Sequence, residues 1–183
     1  KTLEQAHSGC IKFVLFGPES TGKSTLAAQL AQHYKTKWVP EFMRTYLEEK
    51  HQKYGGAVSK TDLPPIARGQ LISENKAAAV ANKVLFCDTN LLQLEVYSRY
   101  YHNGHCPPQI AAAVAAHHYH HYFLTCTDVP WVADNLRDRP NDREGMFALF
   151  ETALVKRNLS RTILKGNQAQ RLQRAISVVN TFI

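Results

Sequence analysis

The sequence predicts an α/β fold, a five-stranded parallel sheet with helices on both faces. Three observations carry the prediction. Five short apolar runs are spaced along the 183 residues, and stretches of helical periodicity separate them. Alternating strands and helices build a parallel sheet covered on both sides, because each crossover lays its helix on a face. The first run leads directly into a glycine-bearing loop and then a helical pattern. No repeat or low-complexity linker breaks the alternation. Residues 10–183 therefore read as one domain, with residues 1–9 as an N-terminal tail or the remnant of a truncated start.

The elements follow in order. Strand one is Cys10–Phe16, apolar enough for a strand buried on both faces. The helix after it runs from Thr25 to Tyr34, with Leu26, Leu30 and Tyr34 at helical spacing. Strand two is Lys37–Val39, and Tyr54-Gly55-Gly56-Ala57 is a loop. Thr61-Asp62-Leu63-Pro64 is a capped start with proline in the first turn, opening a helix towards Ala81. Strand three is Val84–Cys87, followed by a helix over Asn90–Tyr101 and a short alanine-rich one over Gln109–His118. Strand four is Tyr122–Cys126. Arg137–Arg143 is a polar, proline-broken loop, and Asn141 is placed to cap a helix towards Lys156. Strand five is Arg161–Leu164. Gln168 to Phe182 forms the last helix, with Leu172, Ile176 and Val179 on one face.

The loop after strand one reads GPESTGKS over Gly17–Ser24, which fits G-x-x-x-x-G-K-S/T. Gly17 and Gly22 let the backbone approach a polyphosphate without a Cβ in the way. Successive N–H groups from Glu19, Ser20, Thr21, Gly22 and Thr25 would form an anion nest at a helix N-terminus. Lys23 reaches the β- and γ-phosphates, with its ammonium exposed when the site is empty, and Ser24 ligates Mg²⁺. ATP and Mg²⁺ are the implied cofactors. Strand, loop and helix in this order describe a P-loop NTPase of the nucleoside- or nucleotide-kinase type.

Ligands in such sheets bind at the C-terminal ends of the strands. After strand two stand Glu41 and, one helical turn on, Arg44. Glu41 can accept a proton from a substrate hydroxyl, and Arg44 can bind an anion or orient Glu41. The bland alternative for Glu41 is an acid complementing a helix dipole. Strand three ends in Asp88, placed for Mg²⁺ and the acceptor; the bland alternative is an N-cap. After strand four, residues 131–143 read as a lid. Arg137 and Arg139 are its candidate catalytic arginines, set against a solvated salt-bridged loop. Trp131 and Tyr97 are candidates to stack on a planar acceptor, whereas Tyr100 and Tyr101 read as core. Gly166 and Asn167, after strand five, are placed beside the adenine.

Taken together, GPESTGKST, VPEFMR, FCDTNLL, DVPWVADNLRDR and LKGN-x-x-x-R resemble the ribosylnicotinamide kinase domain of the bifunctional bacterial NAD-biosynthesis regulator, and still more its stand-alone relatives. The resemblance covers roughly residues 10–180. It implies ATP-dependent 5′-phosphorylation of nicotinamide riboside to nicotinamide mononucleotide. Glu41, Asp88, Asp134 and Arg137 fall on family motif positions. Two positions depart. Pro40 stands where the bifunctional proteins carry an aromatic residue, and Asn90 where aspartate is usual. Both bear on the choice of nucleoside.

A net charge of +7 raises nucleic-acid binding, but no lysine or arginine block exceeds two residues, so a small-molecule nucleoside is the expected partner. The sequence leaves a homo-oligomer open. No apolar run approaches a membrane span. The four cysteines have no close pair, which points to reduced thiols in a cytoplasmic protein. His117 and His121 are four apart but abut strand four without a carboxylate or cysteine cluster, so a metal there is not expected. The alternatives are a kinase for another nucleoside or nucleotide, and an ATP-binding switch that signals by conformation.

Overall fold

The computed structural model describes residues 3–50, 58–130 and 142–183. Five parallel strands form one sheet: β1 (Ile11–Phe16), β2 (Trp38–Val39), β3 (Val84–Asp88), β4 (His121–Thr125) and β5 (Arg161–Leu164). Their spatial order is β2-β3-β1-β4-β5, with β1 at the centre. From β1 the chain crosses to β2 and returns to β3 on one side, then passes to β4 and β5 on the other. The reversal falls at the C-terminal end of β1, where doubly wound sheets open a ligand crevice. The register sets Leu15 opposite Asp88 and Phe16 opposite Leu124, so the phosphate loop and the acidic end of β3 emerge side by side.

Seven helices are described: α1 (Lys23–His33), α2 (Phe42–Glu49), α3 (Leu63–Val80), α4 (Leu91–Tyr101), α5 (Pro108–Ala116), α6 (Arg143–Lys156) and α7 (Gln168–Val179). The period-2 alternation of β1 divides the core. Phe13 and Leu15 pack with Leu26, Leu30, Ala175 and Val179 of α1 and α7. Val14 and Phe16 pack with Tyr97, Phe150 and Leu154 of α4 and α6 on the opposite face. Both sides of the strand are dry, which is why it reads as a continuous apolar run.

Each predicted strand is present within one residue of its expected ends. The helix after the phosphate loop starts earlier than expected, at Lys23, because Gly22 turns the chain with a left-handed φ of 83°. Helix α2 was not among the expected elements. It is amphipathic, with Met43 and Tyr46 packed beside the cluster of α3, α4 and α5. Residues 3–8 are docked rather than loose. Gln5 donates to Glu74 Oε1 at 2.9 Å, and the Ala6 N–H donates to Asn75 at 2.9 Å. The expected Asn141 cap, the 54–57 loop and most of the expected lid lie outside the described residues.

Candidate active site

The loop between β1 and α1 wraps the top of the sheet. Gly17 has a φ of 136°, and a Cβ there would lie 2.9 Å from Thr125 Oγ1 and 3.0 Å from the Thr125 carbonyl. Only glycine lets the loop pass so close to the end of β4. Hydrogen bonds then fix the loop from several sides. The Thr21 and Thr125 hydroxyls lie 2.6 Å apart, and the Gly17 N–H donates to Gln93 Oε1 at 3.3 Å. Arg171, buried to 1% exposure, donates to the Thr21 carbonyl at 2.7 Å, the Cys126 carbonyl at 3.0 Å and the Gly166 carbonyl at 2.9 Å, and pairs with Asp128. Arg143, at the start of α6, donates to the carbonyls of Ser20, Thr127 and Val129. The backbone nest is therefore pre-formed by the protein itself.

Lys23 differs from its expected exposure. It is buried, and its ammonium donates to the Pro18 carbonyl at 2.6 Å. The long stem folds back along the loop so that the ammonium meets the loop's own backbone.

The crevice in front of the loop holds ≈ 700 Å³ of atom-free space, partly open to solvent. Its lining joins three regions: Glu19 to Thr25 of the loop, Glu41 and Arg44 at the start of α2, and Asp88 with Tyr97 on the β3–α4 side. Of the predicted site residues, the structure brings Glu19 to Thr25, Glu41, Arg44, Asp88 and Tyr97 to one crevice, while Gly17 is not in its lining. Gly166 and Asn167 stand apart from the lining, on the turn before α7. Asn167 caps α7, accepting from the Gln170 N–H at 2.9 Å, and Gly166 has the left-handed φ of 93°. Arg171 is what links that turn to the phosphate loop. Arg137, Arg139 and Trp131 lie outside the described residues.

Electrostatics mark the acidic side. Burial pushes the Glu41 carboxyl up to about 7, helped by the neighbouring Asp88 charge and opposed by Lys23 and Arg44. Glu41 is half-buried as a residue, and its carboxyl feels the charges of Asp88, Lys23, Arg44 and Glu19. Burial likewise raises Asp88, against the pull of Lys23 and the hydroxyl of Ser24. Ser24 Oγ donates to Asp88 Oδ2, while Asp88 Oδ1 is buried without a hydrogen-bond partner. An orphaned carboxylate oxygen beside a hydroxyl is a hard-cation donor set, so these residues fit Mg²⁺. Among the described residues no cluster of three or more His, Cys, Asp and Glu side chains is present.

Thr89, directly after Asp88, is a β-branched residue at a φ of 70°, a backbone outlier of the kind found at functional sites. Asn90 is committed locally. Its amide donates to the Tyr122 hydroxyl at 2.9 Å and its Oδ1 caps α4 through the Gln93 N–H at 3.3 Å. A smaller recess behind Glu41 is lined by Met43, Ile66, Gln70, Asn90 and Tyr97, among others, with ≈ 280 Å³ of free space. Gln70 and Gln93 were not picked out by the sequence reading, although a signal existed. The buried positions of α3 are Leu63, Ile66, Ala67, Gln70, Leu71, Glu74 and Ala78, so two polar residues sit on an otherwise apolar stripe. His117 and His121 do not form a pair: His117 Nε2 faces the Leu3 carbonyl and His121 bonds the hydroxyls of Ser160 and Thr162.

Comparison with known proteins gives concordant results. A family model described as an AAA domain matches residues 12–171. The trifunctional NAD biosynthesis/regulator protein NadR of Salmonella typhimurium (strain LT2) is 31% identical over 150 residues, 79% of this chain and 36% of that protein. The protein of the same name from Escherichia coli (strain K12) is 32% identical over the same share. The chain therefore spans 36% of the length of these curated relatives. A crystal structure of NadR protein in complex with NR superposes with a TM-score of 0.79 at 18% identity, covering 94% of this chain and 51% of that one. Thymidylate kinase from Ehrlichia chaffeensis gives 0.62 at 13% identity, covering 96% and 100%. The two structures share the fold of this chain.

Proposed function

We propose that this chain, which belongs to the AAA domain family matched by residues 12–171 and is a P-loop kinase domain related to NadR, is an ATP-dependent small-molecule kinase. Its acceptor in this reading is the 5′-hydroxyl of nicotinamide riboside, and its product nicotinamide mononucleotide. The observation that carries the reading is Glu41. A carboxylate raised to about 7 stands across the crevice from the phosphate loop, where an acceptor hydroxyl must approach. A switch needs a group to position water, not an acceptor-side base. Support for the particular acceptor comes from the kinship with NadR and from the NadR structure bound to NR.

The residues divide the work. The nest of N–H groups from Glu19 to Thr25 holds the polyphosphate, pre-oriented by Arg171, Thr125 and Arg143. Lys23 exchanges the Pro18 carbonyl for phosphate oxygens as negative charge builds. Ser24 and Asp88 would hold Mg²⁺, which when bound supplies charge neutralisation between the phosphates. Glu41 receives the hydroxyl proton, and a pKa near neutrality places it between the demands of accepting and holding that proton. Arg44 opposes the rise of the Glu41 pKa and is placed to meet an anionic group. Tyr97 closes the acceptor side with an apolar face. Arg137, Arg139 and Trp131 would complete the site from the lid, and Gly166 and Asn167 would border the adenine.

Pro40 and Asn90 keep a second acceptor in view, because both departures bear on the acceptor and neither on the phosphate loop. The test is product analysis. Incubation with ATP, Mg²⁺ and a panel of nicotinamide riboside, adenosine, cytidine, uridine and thymidine should yield nicotinamide mononucleotide above every other monophosphate. A different dominant monophosphate reassigns the acceptor. ATP hydrolysis indifferent to all nucleosides would overturn the kinase reading.

A further inference from the structure

Helix α3 carries a polar side chain with half of its hydrogen-bonding capacity unspent. Gln70 is 5% exposed. Its Oε1 accepts from the backbone N–H of Phe42 at 2.8 Å. A backbone N–H can only donate, so the atom facing it is the oxygen, and the amide orientation is fixed by chemistry. The NH₂ group then points elsewhere, and Gln70 Nε2 is buried with no partner. Burying an amide donor without an acceptor destabilises a fold, and such groups are rare enough to call for an explanation.

The surroundings supply one. Gln70 lines the recess behind Glu41, together with Met43, Ile66, Asn90 and Tyr97. The recess is continuous with the crevice in front of the phosphate loop, sharing Glu41, Met43, Gln93 and Tyr97 with its lining. Its walls are mostly apolar and aromatic. Asn90 is spent on Tyr122 and the α4 cap, and Gln93 Oε1 on Gly17. Gln70 thus brings a buried, unpartnered donor to the recess that adjoins Glu41. Beside Gln70, a Cβ on Gly69 would lie 2.0 Å from Phe42 Cε1, so α2 is seated hard against α3 at this point.

We propose that Gln70 is an acceptor-specificity residue whose side-chain N–H donates to a carbonyl oxygen on the planar base of the acceptor, the carboxamide oxygen when that acceptor is nicotinamide riboside. The assignment rests on the nucleoside-kinase reading above. One side chain then does two things. Its oxygen anchors the first N–H of α2, next to Glu41, and its nitrogen reads the base. Correct base and correct base-to-Glu41 geometry are tied to a single group, and a ligand lacking the oxygen leaves a buried N–H unpaired. A site built around such a donor discriminates more sharply than an apolar wall does.

The test pairs a substitution with a ligand change. Gln70→Glu keeps an oxygen for the Phe42 N–H and removes the donor. The acceptors are nicotinamide riboside and 1-ribosylpyridinium, which lacks the carboxamide. Both rings carry the same positive charge, so attraction to the new carboxylate cancels in their ratio. The wild type should prefer nicotinamide riboside by at least about tenfold in kcat/KM. Gln70→Glu should bring that preference to within about twofold, chiefly through the acceptor KM, with the KM for ATP unchanged. Gln70→Leu should also lower kcat, since the Phe42 N–H loses its anchor. A wild type that treats the two acceptors alike overturns the assignment without any variant having to fold. So does a preference that survives in Gln70→Glu. Turnover of uridine or cytidine in place of nicotinamide riboside sinks the nicotinamide reading alone. Gln70 is then judged by whether Gln70→Glu lowers kcat/KM unequally between nucleosides, an equal loss overturning it. Transfer to no nucleoside at all overturns both.

Discussion

The two sides of the crevice are built on opposite terms. On the phosphate side the protein satisfies itself: Arg171, Thr125 and Arg143 take up the loop's free carbonyls and hydroxyls, and Lys23 rests on Pro18. On the acceptor side it does not. Asp88 Oδ1 and Gln70 Nε2 are buried without partners, and Glu41 and Asp88 are held above the usual carboxylate range. Under the proposed function, the contrast puts selectivity on the acceptor side. A phosphate loop receives the same chemical group each time and gains from rigidity. An acceptor pocket gains from polar groups that only the right ligand can satisfy.

If that division holds, damage to each side should have its own signature. The largest effect belongs to the phosphate side. Lys23→Ala should lower turnover at least about a hundredfold, the scale of losing one electrostatic stabiliser. Steady-state ADP release measures this, and near-normal turnover would remove Lys23 from the chemistry. Its buried contact to Pro18 adds a modest loss of thermal stability, which an exposed lysine head would not give.

The scaffold of that side comes next. Arg171→Ala should lower unfolding stability by about 2–4 kcal/mol, since it removes the partner of the Thr21, Cys126 and Gly166 carbonyls at once, while the partly exposed Asp128 keeps solvent and the Gly166 N–H. Denaturant titration reads it out. ATP affinity should fall with it, because the loop loses its brace, while the preference among nucleosides stays put. A change in nucleoside preference would break the proposed separation.

Asp88 sits at the seam. Asp88→Asn should move the Mg²⁺ requirement to higher concentration and leave metal-free nucleotide binding largely in place, since a carboxylate ligand goes but the nest remains. An unchanged Mg²⁺ titration would leave Asp88 as a partner of Ser24 and nothing more.

The smallest effect sharpens the acceptor side by pH. Glu41 binds its proton more tightly folded than unfolded, so its contribution to stability is present below about 4.5 and is lost as pH rises through about 7. Glu41→Gln should therefore stabilise the ligand-free protein relative to wild type at pH 8 and not at pH 4, as judged by thermal melting. The acceptor-dependent rate of the wild type should rise with pH through about 7, because the ionised form is the base. The same stability difference at both pH values would mean that the Glu41 carboxyl is not shifted.

Much of this was legible in the chain, and the rest was hidden for identifiable reasons. Gly17–Ser24, Glu41 and Asp88 are readable because each stands at or just beyond a strand end, and strand ends converge whatever the pairing. The order β2-β3-β1-β4-β5 was not, because parallel pairing is non-local and leaves no trace in sequence spacing. Helix α2 escaped because eight residues after a two-residue strand give too short a window, although Phe42, Met43, Tyr46 and Leu47 have helical spacing. Gln70 escaped because a glutamine inside a helix belongs to no motif; only its place on the buried stripe of α3 gives it away. Lys23 is buried rather than exposed because the loop's own Pro18 carbonyl meets its ammonium, a contact that no residue spacing announces.

The most direct test of the central claim uses Glu41→Gln and measures ATP affinity and nucleoside-dependent turnover on one preparation. The variant keeps the size and loses the charge. The account predicts unchanged ATP affinity and a nucleoside-dependent rate lower by about a hundredfold or more, the low end for a positioned base when the transition state is loose. Loss of ATP binding would make Glu41 part of the scaffold. Full nucleoside-dependent activity would contradict the account, because the acceptor side would then work without the group on which it is built.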